Sequence, residues 1–282
     1  MPVAPDTIAA LYQAACLAEL DALKPGNVHT YADGHRMAVA DFVASAAASA
    51  PALARSGAGV GARVREAVAA TLAEVGQNTN LGILLLCAPL ALAAERGQVV
   101  AEVLADLDPA DSEGVFAAIR AANPGGLGRA GRHDVAAPAP DSLIAAMAEA
   151  APRDRIARAY AAGFADLFSV GLPALAAARA SGLDPAWCTT AVHLAYLQAF
   201  PDSHVARKHG PERAEQVRAE AVAAFNGLDL RSRPTAALLA LDSAWKAAGI
   251  NPGTSADFTV ATLFADALEA GGALLADAAR VP

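Results

Sequence analysis

Apolar residues recur every three or four positions along most of this chain, as at Ile8, Leu11, Tyr12, Ala15 and Ala18. That period is the signature of helices with one buried face. No run alternates β-branched residues as a half-buried strand would, and no unit of 20–50 residues repeats. The expected fold is therefore all-α: a single-domain multi-helix bundle spanning 1–282, with polar, Gly/Pro-rich loops converging on one pocket. The periodicity predicts helices over Ile8–Leu23, Val39–Arg55, Val64–Val75, Leu81–Glu95, Val99–Leu107 and Asp111–Ala121. After an irregular stretch, Asn123–Asp141, it predicts Ser142–Ala150, Arg153–Phe168, Pro173–Ala180, Pro185–Phe200, Pro211–Phe225, Pro234–Ala248 and Ala256–Ala279. Several open on proline, whose missing N–H costs nothing in a first turn.

Apolar residues make up 55% of the chain and charged ones 18%, and much of the apolar share is alanine, which favours close-packed helices. The longest apolar run, Leu81–Ala94, is 14 residues with Pro89 inside it, short of the roughly 20 that cross a bilayer. Without a basic start, the N-terminus reads as a first helix and not a signal peptide. No membrane partner is expected. A net charge of −8 argues against nucleic acid as a partner, because phosphate contacts need a basic surface. Cys16, Cys87 and Cys188 are odd in number and far apart, so a reducing cytoplasm is the expected location. Alanine-rich helical faces make a homodimer plausible.

In so weakly charged a chain, polar residues bunched at helix ends stand out. Ala22–His29 carries K-P-G-N-V-H, a helix terminator containing a cation (Lys24), a bare backbone (Gly26), a turn former (Asn27) and a titratable ring (His29). Its plain reading is a connector with a solvated lysine. Gly76–Gly82 carries Asn78, Thr79 and Asn80 ahead of Gly82 and the most apolar helix; one polar residue suffices as a cap, and a helix start can hold an anion. Asn123–Asp134 contains a formal G-x-G-x-x-G, at Gly126, Gly128 and Gly131. No strand precedes it, so it is not a dinucleotide fingerprint. It leaves a glycine-rich loop with Arg129, Arg132, His133 and Asp134, either solvated or covering a substrate. Phe200–Gly210 packs Asp202, His204, Arg207, Lys208 and His209 together, a solvated face or a polyphosphate cradle. Ile250–Phe258 holds Asn251, Gly253, Thr254, Ser255 and Asp257, where a first-turn carboxylate suits the helix dipole or could ligate Mg2+ on a nucleotide.

Three of these stretches, K-P-G-N-V-H at 24–29, N-T-N-L-G at 78–82 and N-P-G-T-S-A-D at 251–257, resemble in order and separation the motifs of the triphosphoribosyl-dephospho-CoA synthase family, which read roughly K-P-G-L-V, N-T-H-K-G and S-P-G-G-S-A-D. P-G-G-L-G at 124–128 and F-P-D-S-H-V-A-R-K-H-G at 200–210 resemble a divergent branch found in archaea and one-carbon-metabolising bacteria. The resemblance implies an all-α transferase that joins dephospho-CoA to the C1 carbon of the ATP ribose, expelling adenine and keeping the triphosphate. Asn80-Leu81 stands where characterised members have His-Lys, removing a cation and a titratable group. Either Arg207 and Lys208 replace that function or the acceptor differs. A precursor of a one-carbon coenzyme of the methanopterin or methanofuran type is the alternative. A non-catalytic coenzyme-binding protein and a ribosyl hydrolase are the rivals from other classes.

The implied reaction needs a base, and His29 is the first candidate for it. Asp202 and Asp257 are candidates for base duty or for ligating the Mg2+ expected to accompany ATP. Lys24, Arg207 and Lys208, with the N–H groups after Asn78, are the expected triphosphate contacts. Gly26, Asn27, Thr79, Asn80, Gly82, Arg129, Arg132, Asp134, His209, Asn251, Gly253 and Ser255 complete the expected substrate-binding set. Replacing an exposed Lys24 by alanine should cut turnover and leave the fold intact.

Overall fold

The computed structural model describes residues 1–34, 37–125 and 132–271. In chain order its helices are α1 (Pro5–Asp21), α2 (Val39–Leu53), α3 (Val60–Val75), α4 (Leu81–Arg96), α5 (Val100–Ala105), α6 (Pro109–Ala122) and α7 (Leu143–Ala150). They continue with α8 (Arg155–Ala161), α9 (Leu172–Ala180), α10 (Pro185–Ala199), α11 (Ser203–His209), α12 (Pro211–Phe225), α13 (Thr235–Ala247) and α14 (Gly253–Ala270). Among the described residues there is no strand, only two isolated bridges, His29 to Ala32 and Gly34 to Met37. The chain is all-α, as the periodicity predicts.

Most ends agree with the sequence to within a few residues, and the exceptions have local causes. The stretch read as one helix over Arg153–Phe168 breaks where Gly163 and Phe164 both take positive φ, 61° and 63°. A five-residue π turn, Leu167–Gly171, then leads into α9. Helix α6 starts earlier than expected: Asp108 caps it by accepting from the Asp111 N–H, and Asp111 bonds back to the Asp108 N–H. Asp111, where the periodicity starts this helix, thus lies inside it. The polar cluster after Phe200, where the periodicity assigns no helix, contains α11.

The chain divides into two compact units, neither contiguous in sequence. The first comprises Met1–Ala14, Ala44–Ala165 and Phe264–Pro282. Its centre is α4, whose residues Leu84, Leu86, Cys87, Leu90 and Ala94 have no solvent exposure. Helices α3 and α6 cross backbone to backbone at glycine. A Cβ on Gly61 would lie 2.4 Å from the Asp111 carbonyl oxygen, and one on Gly114 would lie 2.5 Å from the Gly61 carbonyl carbon. Arg63 is wholly buried beside this crossing, donating to the carbonyls of Leu53 and Ala58 and pairing with Glu95.

The second unit comprises Ala15–Val43 and Asp166–Leu263. Leu23, Trp187, Leu194, Val217, Leu238 and Trp245 form its apolar core. Tyr196, Phe200 and Phe258 pack ring against ring beside it, with centroids 5.3–5.8 Å apart.

Candidate active site

Within the second unit, α1 ends into the Lys24–His29 turn. Gly26 takes φ +82°, and a Cβ there would sit 2.8 Å from Pro252 Cδ and 3.1 Å from Trp245 Cε3. Only glycine allows this turn to lie against the Pro252 segment. Asn27 then donates from Nδ2 to Asn251 Oδ1 at 2.8 Å, joining two of the polar turns that the sequence singled out.

Lys24 is not the exposed cation expected. It is fully buried, and its ammonium donates to Glu19, to Asn27 Oδ1 at 3.3 Å and to the Val28 carbonyl at 2.7 Å. An ammonium has three protons, and these partners use all three. Burial depresses the Lys24 pKa, with Glu19 opposing it, and burial raises that of Glu19, with Lys24 opposing it. The reason for the miss is that Glu19, on α1, turns its carboxylate to the lysine five residues later.

Asp202 also departs from expectation, both as a metal ligand and as a base. Its Oδ1 accepts from the N–H groups of His204 (2.9 Å) and Val205 (3.2 Å), and its Oδ2 accepts from Ser255 N (2.7 Å) and Ser255 Oγ (2.9 Å). Four bonds fill the roughly four lone-pair sites of a carboxylate. Asp202 is a double cap that starts α11 and ties it to the start of α14. Burial raises its pKa, against the bonds from Ser255 and Val205. Ser255 spends its hydroxyl proton on the same bond, which leaves that oxygen only its acceptor lone pairs. Gly253 lies close under His204: a Cβ there would be 3.0 Å from the ring Nδ1.

The residues that sequence reasoning missed lie around His29. Its ring is buried, with Nε2 3.4 Å from Asp242 Oδ1 on α13. Asp242 is itself buried; it accepts from the Gly26 N–H at 2.8 Å and from Lys246 Nζ at 3.0 Å. Lys246 also donates to the Ala32 carbonyl at 3.1 Å. Burial holds His29 below the ordinary histidine pKa, opposed by Asp242 and helped by Lys246. Asp242 sits below the usual carboxylate range: burial works against this, but bonds from His29, Lys246 and Gly26 prevail. His193 on α10 is fully buried near Lys24 and His29, and burial keeps it well below the ordinary value. The sequence signal for Asp242 and Lys246 was an i,i+4 acid–base pair, which is ordinarily a solvated one. For His193 it was a lone histidine in an apolar helix.

Arg207, Lys208 and His209 close the last turn of α11, where the helix dipole favours cations. Lys208 and His209 are exposed, Arg207 is half-buried, and the His209 ring bonds the Gly249 carbonyl at 3.1 Å. Asp257 is half-buried in α14, and its charge is felt at Lys24. Among the described residues no three His, Cys, Asp or Glu side chains gather as a metal cluster.

The remaining expected residues belong to the first unit. Asn80 holds the N-cap position of α4 without a side-chain capping bond, and the side chain that accepts from the Leu81 N–H, at 3.1 Å, is that of Asn78. Thr79 donates to Ser45 Oγ at 2.6 Å, and Asn80 to Ser49 Oγ at 3.3 Å. These two side chains, expected to face substrate, instead bond the serines of α2. Gly82 lies in the first turn of α4. Arg132 is exposed and 3.7 Å from Glu149, and Asp134 accepts from the Ala136 N–H at 2.8 Å. Arg129 and the glycines at 126, 128 and 131 lie outside the described residues.

The model of the ATP:dephospho-CoA triphosphoribosyl transferase family, CitG, matches residues 5–274. The chain belongs to this family. A crystal structure from Archaeoglobus fulgidus, of a protein provisionally assigned as triphosphoribosyl-dephospho-CoA synthase, has the same fold. It shares 24% identity with a TM-score of 0.60, over 81% of this chain and 98% of that one. No curated protein matches the sequence. As a CitG-family protein the chain is a transferase of triphosphoribose from ATP to dephospho-CoA, and those two are its substrates. The alternative one-carbon coenzyme acceptor is not favoured. No helix among the described residues is long and apolar enough to cross a membrane.

Proposed function

We propose that triphosphoribosyl transfer is run by the polar turns of the second unit, with His29 as general base. The observation that carries this is the meeting of the Lys24–His29 and Asn251–Asp257 turns, through Asn27 and Asn251, beside the buried His29–Asp242 pair. In the transfer the acceptor hydroxyl attacks C1 of the ATP ribose through an oxocarbenium-like transition state. The C1–N bond to adenine breaks, adenine leaves with that electron pair and takes up a proton, and the hydroxyl proton passes to His29. A histidine held below its ordinary pKa by burial is unprotonated at neutral pH, as a base must be.

Lys24 acts through the turn it braces and not by touching phosphate. Arg207 and Lys208 are left as the triphosphate contacts, Arg207 being the better suited to bidentate bonding. Asp257, half-buried in α14, would hold Mg2+ arriving with the triphosphate, and the ion would supply charge neutralisation there; the Asp202 carboxylate is committed to His204, Val205 and Ser255.

Mass spectrometry of the protein incubated with ATP, Mg2+ and dephospho-CoA tests the reading. The expected result is a triphosphoribosyl adduct with one adenine freed per turnover, abolished in His29→Gln. Adenine release without an adduct would make water the acceptor. Full turnover by folded His29→Gln would remove the base assigned here.

A further inference from the structure

The Lys24–His29 turn is gripped from one side by two residues a helical turn apart on α13. Asp242 accepts from the Gly26 N–H (2.8 Å) and lies 3.4 Å from His29 Nε2; Lys246 reaches past it to the Ala32 carbonyl (3.1 Å). Ala32 in turn pairs with the backbone of His29, accepting from its N–H at 3.3 Å and donating to its carbonyl at 2.9 Å. The ring is thereby fixed at its backbone, and both its nitrogens are buried without a well-aligned hydrogen bond; Nε2 faces the Asp242 carboxylate at 3.4 Å, whereas no carboxylate lies by Nδ1. A buried polar nitrogen without a partner is uncommon enough to need a reason.

We infer that Asp242 and Lys246 are positioning residues for His29: Asp242 holds the Nε2 proton, leaving the Nδ1 lone pair as the base, and Lys246 counterbalances the carboxylate. This rests on His29 being the base. The two residues act in opposite senses. Asp242 favours the imidazolium by charge and hydrogen bond, whereas Lys246 disfavours it. The other charged and polar groups that face the ring are Lys24 and Tyr31 from its own turn, and His193 from α10. Lys24 and a protonated His193 would both disfavour the imidazolium, so Asp242 is the group that opposes them. Without the carboxylate the ring would also be free to take the other tautomer, with the proton on the nitrogen that must receive one.

The test follows the His29 ring by NMR titration in the whole protein, assigning its signal by loss in His29→Gln, and measures the pH dependence of kcat/KM alongside. Asp242→Asn is expected to move the His29 midpoint and the acid limb of kcat/KM down together by about one unit, and to lower kcat more than it changes KM. Lys246→Met is expected to move both midpoints up, by roughly half to one unit. A purely structural role would lower activity with both midpoints in place, and unchanged midpoints in the folded variants would overturn the inference. Should Asp242→Asn not fold, the upward shift in Lys246→Met decides alone. The base reading fails separately: the ring would shift as expected while the kinetic limb stayed still and His29→Gln remained active.

Discussion

Two polar turns in this protein stand out alike as helix-end clusters in the sequence and end in different chemistry. The turn before α4 places Thr79 and Asn80 on Ser45 and Ser49, and Tyr12 joins through Ser49 at 3.1 Å. Every group there is neutral. The turn after α1 instead gathers Glu19, Lys24, His29, Asp242 and Lys246, with His193 beside them, mostly buried. Neutral hydrogen-bonded networks hold a frame at little risk, since each bond contributes about 0.5–1.5 kcal/mol. Buried charges are costly to desolvate, and clusters of perturbed titratable groups are where catalysis is found. The contrast is the physical ground for proposing the second turn as the site and the first as scaffold.

The sharpest way to break that contrast is Lys24→Met, which strands the Glu19 carboxylate. Removing one partner of a buried pair is expected to cost about 3–5 kcal/mol, seen as a lower urea midpoint. The double change Glu19→Leu with Lys24→Met should recover most of it; no recovery would mean the loss comes from the turn and not from the stranded charge. His29→Gln should lower kcat/KM by roughly 10²- to 10⁴-fold at neutral pH with its urea curve near wild type.

Asp202→Ala leaves N–H groups of α11 and α14 uncapped, and about 1–3 kcal/mol of stability should go. Its Mg2+ titration of activity should overlay the wild type once corrected for folded fraction; a displaced curve would restore the metal role.

Acid also discriminates. His29 and His193 both have native pKa values below 6.5, so beneath that pH the unfolded chain binds more protons than the folded one. Stability should therefore fall as pH drops below 6.5, by at most about 1.4 kcal/mol per pH unit for each group. Urea midpoints at several pH values should show a shallower fall in His193→Leu. The smallest effect belongs to the neutral turn: Ser45→Ala should cost about 0.5–1.5 kcal/mol and leave kcat/KM unchanged.

The sequence made the helices legible because apolar period, prolines at first turns and glycine stops are local signals. Gly26 and Asn27 were legible for the same reason, since a K-P-G-N turn needs a residue with positive φ. Burial was not legible. Lys24, Asp202 and Ser255 each carry the residue type of a ligand contact, and each is committed to partners: Lys24 to Glu19 five residues earlier, and Asp202 and Ser255 to each other. Asp242 and Lys246 look like a surface pair until α13 is packed against the turn. Phe164 at positive φ gave no sign at all, because nothing local favours a buried aromatic residue there.

The interleaving of the two units fixes an order of events during synthesis. Ala15–Val43 leaves the ribosome well ahead of Asp166–Leu263, the segment it packs with. At about 5–20 residues per second, the interval between them is on the order of 6–25 s. Over that interval Glu19 and Lys24 have each other and water, while His29 lacks Asp242 and Lys246. Their charges enter the interior only once α10 and α13 have been made, so the site is among the last parts of the nascent chain to close.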